Sequence, residues 1–231
     1  MSLFDNADVL ATCREYEKKF PLTPESWKRY KQYATPNDLR ANIKQMWGFG
    51  VSKEIRFEEG IRRDNRDVKI VCWDPTPMSV ETVKSANSRG ANVTLVSKAY
   101  DPSEKPMTFY TVDRKKRCWS LENHDPENLV DTLEVETTSL SSIVDEYGRD
   151  VDMIKLDIEG RWYELCSEIL DMDLPVKMVL VEFEMYFGPI AQEFGKLDEL
   201  IKRFQEKGFK IYTNRYNKGP HVEYNFIRNS D

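Results

Sequence analysis

Residues Val151–Gly160 read Val-Asp-Met-Ile-Lys-Leu-Asp-Ile-Glu-Gly. An apolar strand pattern runs here into two carboxylates, Asp157 and Glu159, and a helix-type spacing of apolar residues follows at once. In an open α/β sheet, ligands bind at the carboxyl ends of the strands, where each strand turns into its helix. Two acids at such a place would lose hydration unless a polar partner meets them. The pattern therefore predicts a binding site at the end of this strand.

Strand and helix patterns alternate on both sides of this stretch, from Ile43 onward. The other predicted strands are Ile43–Trp47, Val68–Trp73, Val93–Val96, Leu133–Thr137, Val176–Phe183, Phe209–Tyr212 and Val222–Ile227, with a hairpin around Met107–Val112. The predicted helices include Lys53–Arg63, Ser79–Ser88, Leu140–Tyr147 and Ile190–Lys207. This alternation predicts one α/β domain over residues 43–231, built around an open sheet.

Residues 1–42 are predicted to form a helical extension outside that domain. Thr23-Pro24 places an N-cap residue before a proline, which is typical of a helix start. The aromatic residues of this helix are Trp27, Tyr30 and Tyr33. They could pack against the protein while the lysines and arginine between them face solvent, or they could form a surface that stacks on a sugar or a nucleic acid. We expect this helix and the irregular segment 100–131 to border an acceptor.

Composition limits the classes of function. A chain of 231 residues suits one α/β domain with a full core, and the net charge of −6 argues against a nucleic-acid partner. No apolar run reaches the roughly 20 residues that span a bilayer, and the N-terminus lacks the pattern of a signal peptide. The scattered cysteines (Cys13, Cys72, Cys118 and Cys166) are typical of free thiols. We therefore expect a cytoplasmic protein; the oligomeric state is not predicted.

Three predicted strand ends carry residues suited to one ligand. Gly48 and Gly50 follow the first strand, where glycines allow close approach to the backbone and the next helix offers its N-terminus. Asp74 lies after the second strand, at the spacing where an acid commonly holds a ribose diol. Asp157 and Glu159 follow the later strand. This combination predicts an adenosine-type ligand.

Several of these motifs, in this order, resemble the FkbM-type methyltransferases. The matching motifs are Gly48-Phe49-Gly50-Val51, Phe57-Glu58-Glu59, Trp73-Asp74-Pro75-Thr76-Pro77, Lys155-Leu156-Asp157-Ile158-Glu159-Gly160, Leu180-Val181-Glu182 and Glu223-Tyr224-Asn225-Phe226-Ile227. The chain departs from the family at Gln45-Met46-Trp47, which lacks the usual acid before the first glycine, and at Glu184, where a histidine is frequent. The resemblance covers roughly residues 43–228.

The resemblance implies a fold, a cofactor and a role for each residue. The fold is a Rossmann-like class I methyltransferase fold, with a seven-stranded, mostly parallel sheet and an antiparallel last strand. The cofactor is S-adenosylmethionine. Its methionine part would lie against Gly48, Phe49, Gly50 and Val51, its ribose against Asp74 and Pro75, and its adenine against Lys98 and Ala99. Asp157, Glu159 and Glu182 would face the methyl group and the acceptor, with Asp157 as the first candidate for the base.

Each of these residues also has a structural interpretation. The glycines could serve a turn only, Asp74 could cap the following helix, and Glu159 could favour a helix dipole. Asp157, Glu182 and Glu184 could together bind Mg²⁺, which prefers oxygen ligands. Paired acids without a metal, one acting as base and one orienting it, are the other interpretation.

The resemblance favours an O-methyltransferase that acts on a hydroxyl of a sugar or glycan. Methylation of another small molecule remains open, as does methylation of a nucleic acid, although an Asn/Asp-Pro-Pro-aromatic block is missing after the fourth strand. A nicotinamide-linked oxidoreductase fits less well, because the chain lacks a full Gly-x-Gly-x-x-Gly. A non-catalytic module that binds an adenosyl ligand is the last alternative, since a fold does not determine a function.

Overall fold

The computed structural model describes residues 11–15, 27–30, 33–113, 115, 119–121, 123, 126–158, 160–185, 189–216 and 221–228. The strands are β1 (Trp27–Tyr30), β2 (Tyr33–Pro36), β3 (Gln45–Phe49), β4 (Lys69–Trp73), β5 (Val93–Val96), β6 (Ala99–Tyr100), β7 (Met107–Thr111), β8 (Asp131–Val135), β9 (Thr137–Thr138), β10 (Met153–Leu156), β11 (Met178–Glu184), β12 (Phe209–Tyr216) and β13 (His221–Arg228). The helices are α1 (Asn37–Asn42), α2 (Arg56–Asp64), α3 (Pro77–Ser88), α4 (Leu140–Tyr147), α5 (Trp162–Asp171) and α6 (Ile190–Glu206), and residues 11–15 are also helical.

Seven strands form the central sheet, in the order β12-β13-β11-β10-β3-β4-β5. β11, β10, β3, β4 and β5 pair in parallel, whereas β13 runs antiparallel to both β11 and β12. This order confirms the predicted Rossmann-like sheet with an antiparallel last strand. The chain order reverses between β3 and β10, and open α/β sheets bind their ligands at such a reversal.

Both faces of the sheet are buried, which explains the long apolar runs in its strands. Alternate residues of β11 point to opposite sides: Val179 and Val181 pack in one cluster with α4, α5 and α6, whereas Met178 and Leu180 pack in another with α2 and α3. All seven residues of β11 are buried, including Glu182. The sheet therefore carries an acid into the interior, close to its carboxyl-terminal edge.

The predicted helix over Trp27–Tyr33 is wrong. Residues 27–30 and 33–36 form an antiparallel hairpin, β1–β2, in which Tyr30 is opposite Tyr33. The side chains of β2 are buried, and the Tyr33 ring packs edge-on against Phe57, with 5.4 Å between the ring centroids. The spacing of Trp27, Tyr30 and Tyr33 is compatible with a helix, but the burial of β2 against the rest of the domain stabilises the strand instead. The boundary at residue 42 stays a prediction.

The described cysteines Cys13, Cys72 and Cys166 are free and buried, in agreement with the expectation of free thiols, and Cys118 lies outside the described residues. Burial raises the pKa of the Cys72 thiol well above its usual value. These thiols are therefore protonated packing groups rather than nucleophiles. Among the helices of the described ranges, none combines the length and the apolar character needed to cross a membrane.

Gly50 directly follows β3 and lies against the backbone of Asp157, which follows β10, and its φ is +83°. A Cβ atom at Gly50 would overlap the carbonyl oxygen of Asp157, which is backbone and has no alternative rotamer. The positive φ adds strain for any other residue. The contact of these two strand ends therefore requires glycine at this position.

We expect Gly50→Ala to destabilise the protein by more than about 4 kcal/mol, because the backbone of β10 would have to move. Gly90→Ala is the matched control, since Gly90 has a φ of +89° but no atom within 4 Å of an added Cβ. Its cost should be only about 1–2 kcal/mol, from backbone strain. Urea denaturation measures both variants, and equal losses of stability would contradict the overlap.

Candidate active site

A cavity of about 280 Å³ opens at the carboxyl-terminal edge of the sheet, where β3, β4 and β10 end. Of the predicted site residues, those that line it are Phe49, Gly50, Val51, Asp74, Pro75, Ala99, Asp157 and Glu182. The three strand ends singled out in the sequence therefore converge on one cavity. Glu159 lies outside the described residues, so its predicted role stays a prediction.

Two predicted cofactor contacts are not at the cavity. Gly48 lies inside β3 rather than in the turn after it, and an added Cβ would be 3.0 Å from Cys72 Sγ and 3.4 Å from Glu58 Oε1. Gly48 thus allows close packing of β3 against its neighbours, not close approach of a ligand. Lys98 is 43% exposed, and its ammonium lies 3.7 Å from a carboxylate oxygen of Glu136. The Lys98 side chain therefore faces β9 and solvent.

The buried carboxylate of Asp74 holds the loop after β3. Its Oδ2 accepts hydrogen bonds from the backbone N–H groups of Val51 and Ser52, at 2.8 and 2.9 Å. Its Oδ1 accepts from the backbone N–H and the hydroxyl of Thr76, at 2.8 and 2.6 Å. The helix-capping interpretation of Asp74 is wrong, because Thr76 is the N-cap of α3. In this structure Asp74 ties the ends of β3 and β4 together, and a ribose diol would share it with these donors.

A buried ion pair lies directly beneath the loop. The Lys155 ammonium is 3.0 Å from Glu58 Oε1 and also donates to the carbonyl oxygen of Gly50, at 2.9 Å. The exposed fractions of the two side chains are 5% and 1%. Burial lowers the pKa of Lys155, but the Glu58 and Asp157 carboxylates outweigh this effect and raise it above the ordinary value. Lys155 is therefore charged, and it joins β10, α2 and the loop.

Asp157 follows β10 and accepts a hydrogen bond from Tyr33, which belongs to the N-terminal segment expected to border an acceptor. The sequence does not predict this contact. The Tyr33 hydroxyl donates to Asp157 Oδ2 at 3.2 Å, across 124 positions of sequence. Burial raises the pKa of Tyr33 well above its ordinary value, and the nearby carboxylates raise it further. The hydroxyl is thus a donor at neutral pH. No local pattern signals this contact, because it depends on how the hairpin packs.

A second group of acids lies beside Asp157 on β11 and β13. Glu182 is opposite Glu223, and Glu184 is opposite His221, so the four side chains share one face of the sheet. His221 Nδ1 is 3.4 Å from Glu182 Oε1. Burial lowers the pKa of His221 below its usual value, which leaves the imidazole uncharged at neutral pH. This side of the cavity therefore carries negative charge.

The predicted Mg²⁺ option finds no support in this geometry. Within the described part of the chain, no three histidine, cysteine, aspartate or glutamate side chains are grouped so that they could hold a metal ion. Asp157, Glu182 and Glu184 are therefore not arranged as a ligand set.

Part of the cavity lining is apolar and aromatic. Phe49 and Trp73 stack with 5.0 Å between ring centroids and an interplanar angle of 16°, and both line the cavity. The remaining apolar lining residues from segment 100–131 are Tyr100, Met107, Phe109, Trp119 and Leu121. The cavity lining thus combines aromatic faces and carboxylates with basic side chains, which are Lys53, Arg56, Lys155 and Arg161.

We expect Lys155→Met to destabilise the protein by about 3–5 kcal/mol, because it leaves Glu58 buried without its counter-ion. Combining it with Glu58→Leu should restore part of the loss, since the unpaired charge is then gone. The exposed pair Lys202–Glu206 supplies the control, and Lys202→Met should change stability by less than about 1 kcal/mol. Urea denaturation measures the series; a Lys155→Met loss as small as the control's would contradict a structural role for the pair.

Several solved structures have a chain trace similar to that of this protein, at low sequence identity. The Methanococcus jannaschii fibrillarin pre-rRNA processing protein is 10% identical, with 93% of this chain and 86% of that chain covered and a TM-score of 0.49. An O-methyltransferase from Bacillus cereus, in complex with SAH, is 9% identical, with 96% and 92% covered and a TM-score of 0.49. Precorrin-6y C5,15-methyltransferase from Geobacter metallireducens is 9% identical, with 93% and 96% covered and a TM-score of 0.46. These identities are too low to bear on activity or substrate.

The sequence itself identifies the family. None of the curated proteins compared with this chain matches it. The family model described as the methyltransferase FkbM domain matches residues 31–211. The match spans the hairpin strand β2, the loop after β3 and the Lys155–Asp157 block, which together surround the cavity. The chain therefore belongs to the FkbM methyltransferase domain family of S-adenosylmethionine-dependent methyltransferases.

Proposed function

We propose that this methyltransferase acts on a hydroxyl group of a sugar or glycan, with S-adenosylmethionine as methyl donor and Asp157 as the assisting carboxylate. The observation that carries the proposal is the convergence of the Gly50 loop, Asp74 and Asp157 on one cavity. Its volume of about 280 Å³ is close to the lower end of the range of roughly 300–1,000 Å³ for small-molecule sites.

The lining residues fit the parts of this cofactor. The loop from Phe49 to Ser52, shaped by Asp74, would hold the methionine part, and Pro75 and Ala99 would border the nucleoside. The carboxylates of Asp157 and Glu182 provide negative potential, which favours a positively charged sulfonium group. When bound, the cofactor would supply an activated methyl group for displacement by an oxygen nucleophile.

The chain's own residues would position and activate the acceptor. In-line transfer depends mainly on holding donor and acceptor in the right orientation. A hydroxyl is a poor nucleophile until its proton is being removed, and Asp157 is a carboxylate at the cavity surface that could accept this proton. Glu182 would orient the acceptor or Asp157 from the neighbouring strand.

Carbohydrate is the acceptor class that the lining supports best. Carboxylates accept hydrogen bonds from hydroxyl groups, and the aromatic faces of Phe109 and Trp119 offer apolar surfaces for a sugar ring. A nucleic acid suits this protein less well, because the net charge of −6 repels phosphates. A non-catalytic adenosyl-binding module would need the same cavity but not Asp157.

The test separates binding from chemistry. We expect S-adenosylhomocysteine to bind with a micromolar dissociation constant in titration calorimetry. Methyl transfer from tritiated S-adenosylmethionine to a panel of mono- and oligosaccharides should then be about 10²–10⁴-fold slower for Asp157→Asn, with affinity for S-adenosylhomocysteine little changed.

Asp145→Asn, an exposed substitution on α4, is the matched control and should retain wild-type transfer. Absence of binding would exclude the proposed cofactor. Full activity of Asp157→Asn would exclude a role of the Asp157 carboxylate in methyl transfer. Methylation of RNA instead of the saccharides would exclude carbohydrate as the acceptor class.

A further inference from the structure

Tyr33 reaches the candidate active site from outside the central sheet. It begins β2 of the hairpin, and its hydroxyl donates to Asp157 Oδ2 at 3.2 Å. Tyr33 is only 1% exposed, yet it lines the cavity. A polar group that is buried at this depth and aimed at a cavity carboxylate indicates a role beyond packing.

The surroundings of Tyr33 fix its position. The ring packs edge-on against Phe57, and the Lys155 ammonium lies 5.6 Å from the centre of the ring. The neighbouring carbonyl oxygen of Ala34 accepts a hydrogen bond from Asn225 Nδ2 at 3.1 Å, which anchors β2 to β13. The Tyr33 ring is thus fixed by Phe57 and Lys155, and the backbone next to it is fixed by Asn225.

The charged and titratable groups around the Tyr33–Asp157 contact come from four elements. They are Lys155 on β10, Glu58 on α2, Glu182 on β11, and His221 and Glu223 on β13. The carboxylates Asp157, Glu182 and Glu223 add to the effect of burial in raising the pKa of Tyr33. The phenol therefore remains protonated over the pH range in which a carboxylate titrates.

We infer that Tyr33 is a positioning residue that holds the carboxylate of Asp157 in one orientation toward the cavity. This inference rests on the proposed function, in which Asp157 assists methyl transfer. A donor to one oxygen of a carboxylate stabilises its charged form and restricts its rotation. The hairpin β1–β2 is then part of the active site rather than an appendage to the methyltransferase domain.

The test is the chemical shift of the Asp157 carboxyl carbon at neutral pH, measured by NMR in protein labelled with carboxyl-¹³C aspartate and saturated with S-adenosylhomocysteine. Asp157→Asn identifies the resonance by its loss. Tyr33→Phe keeps the ring and its packing and removes only the donor, so the Asp157 carboxyl resonance should move away from its wild-type position.

Tyr163→Phe is the matched control, because the Tyr163 hydroxyl donates to the Glu199 carboxylate at 2.8 Å on the α5–α6 surface. It should leave the Asp157 resonance unchanged. An Asp157 resonance in Tyr33→Phe that stays at its wild-type position would overturn the inference. The two proposals fail separately, since absence of S-adenosylhomocysteine binding refutes the proposed function, and the Asp157 resonances of wild type and Tyr33→Phe can still be compared in the free protein.

Discussion

The structure depends on the close contact between the ends of β3 and β10, which the buried ammonium of Lys155 holds from below. Lys155 donates to the Gly50 carbonyl oxygen and pairs with Glu58, while Asp157 donates its backbone N–H to the Phe49 carbonyl oxygen at 2.9 Å. A buried charge is costly unless it is paired and hydrogen-bonded, so this arrangement allows little adjustment. It forces glycine at position 50 and brings the Asp157 side chain to the edge of the loop.

The same contact organises the electrostatics of the site. Lys155 is paired with Glu58 beneath the loop, and the Asp157 carboxylate also stabilises its charge. Asp157 and Glu182 line the same cavity as the stacked aromatic pair Phe49 and Trp73. Asp74 uses backbone donors rather than a cation to shape the loop. Carboxylates at such a site favour a positively charged cofactor.

Sequence reasoning succeeds where local patterns are long and unambiguous. The helix Leu140–Tyr147, the sheet strands and the three functional strand ends could all be read from apolar periodicity and from acids placed after a strand. It fails where the deciding contact is distant. The spacing of Trp27, Tyr30 and Tyr33 predicts a helix. The antiparallel pairing of β1 with β2 and the packing of Tyr33 against Phe57 and Asp157 make the segment a hairpin instead. The Tyr33 contact could not be found from sequence for the same reason.

The glycines and Asp74 show that spacing in the sequence does not predict the packing and hydrogen-bond partners of a residue. Gly50 and Asp74 lie at strand ends that converge on the cavity, as predicted, but their partners could not be read from spacing. Gly48 makes room for Cys72 rather than for a ligand, and Asp74 binds the loop amides before any ribose. Spacing places a residue at a strand end, whereas its hydrogen-bond partners depend on the loops that the fold brings beside it.

A crystal structure of the complex with S-adenosylhomocysteine tests the central claim most directly. We expect the sulfur to lie in the cavity beside Asp157, with the methionine part along the Phe49–Ser52 loop and the nucleoside toward Pro75 and Ala99. Binding at another surface, or a cavity filled by packed side chains in the complex, would contradict it.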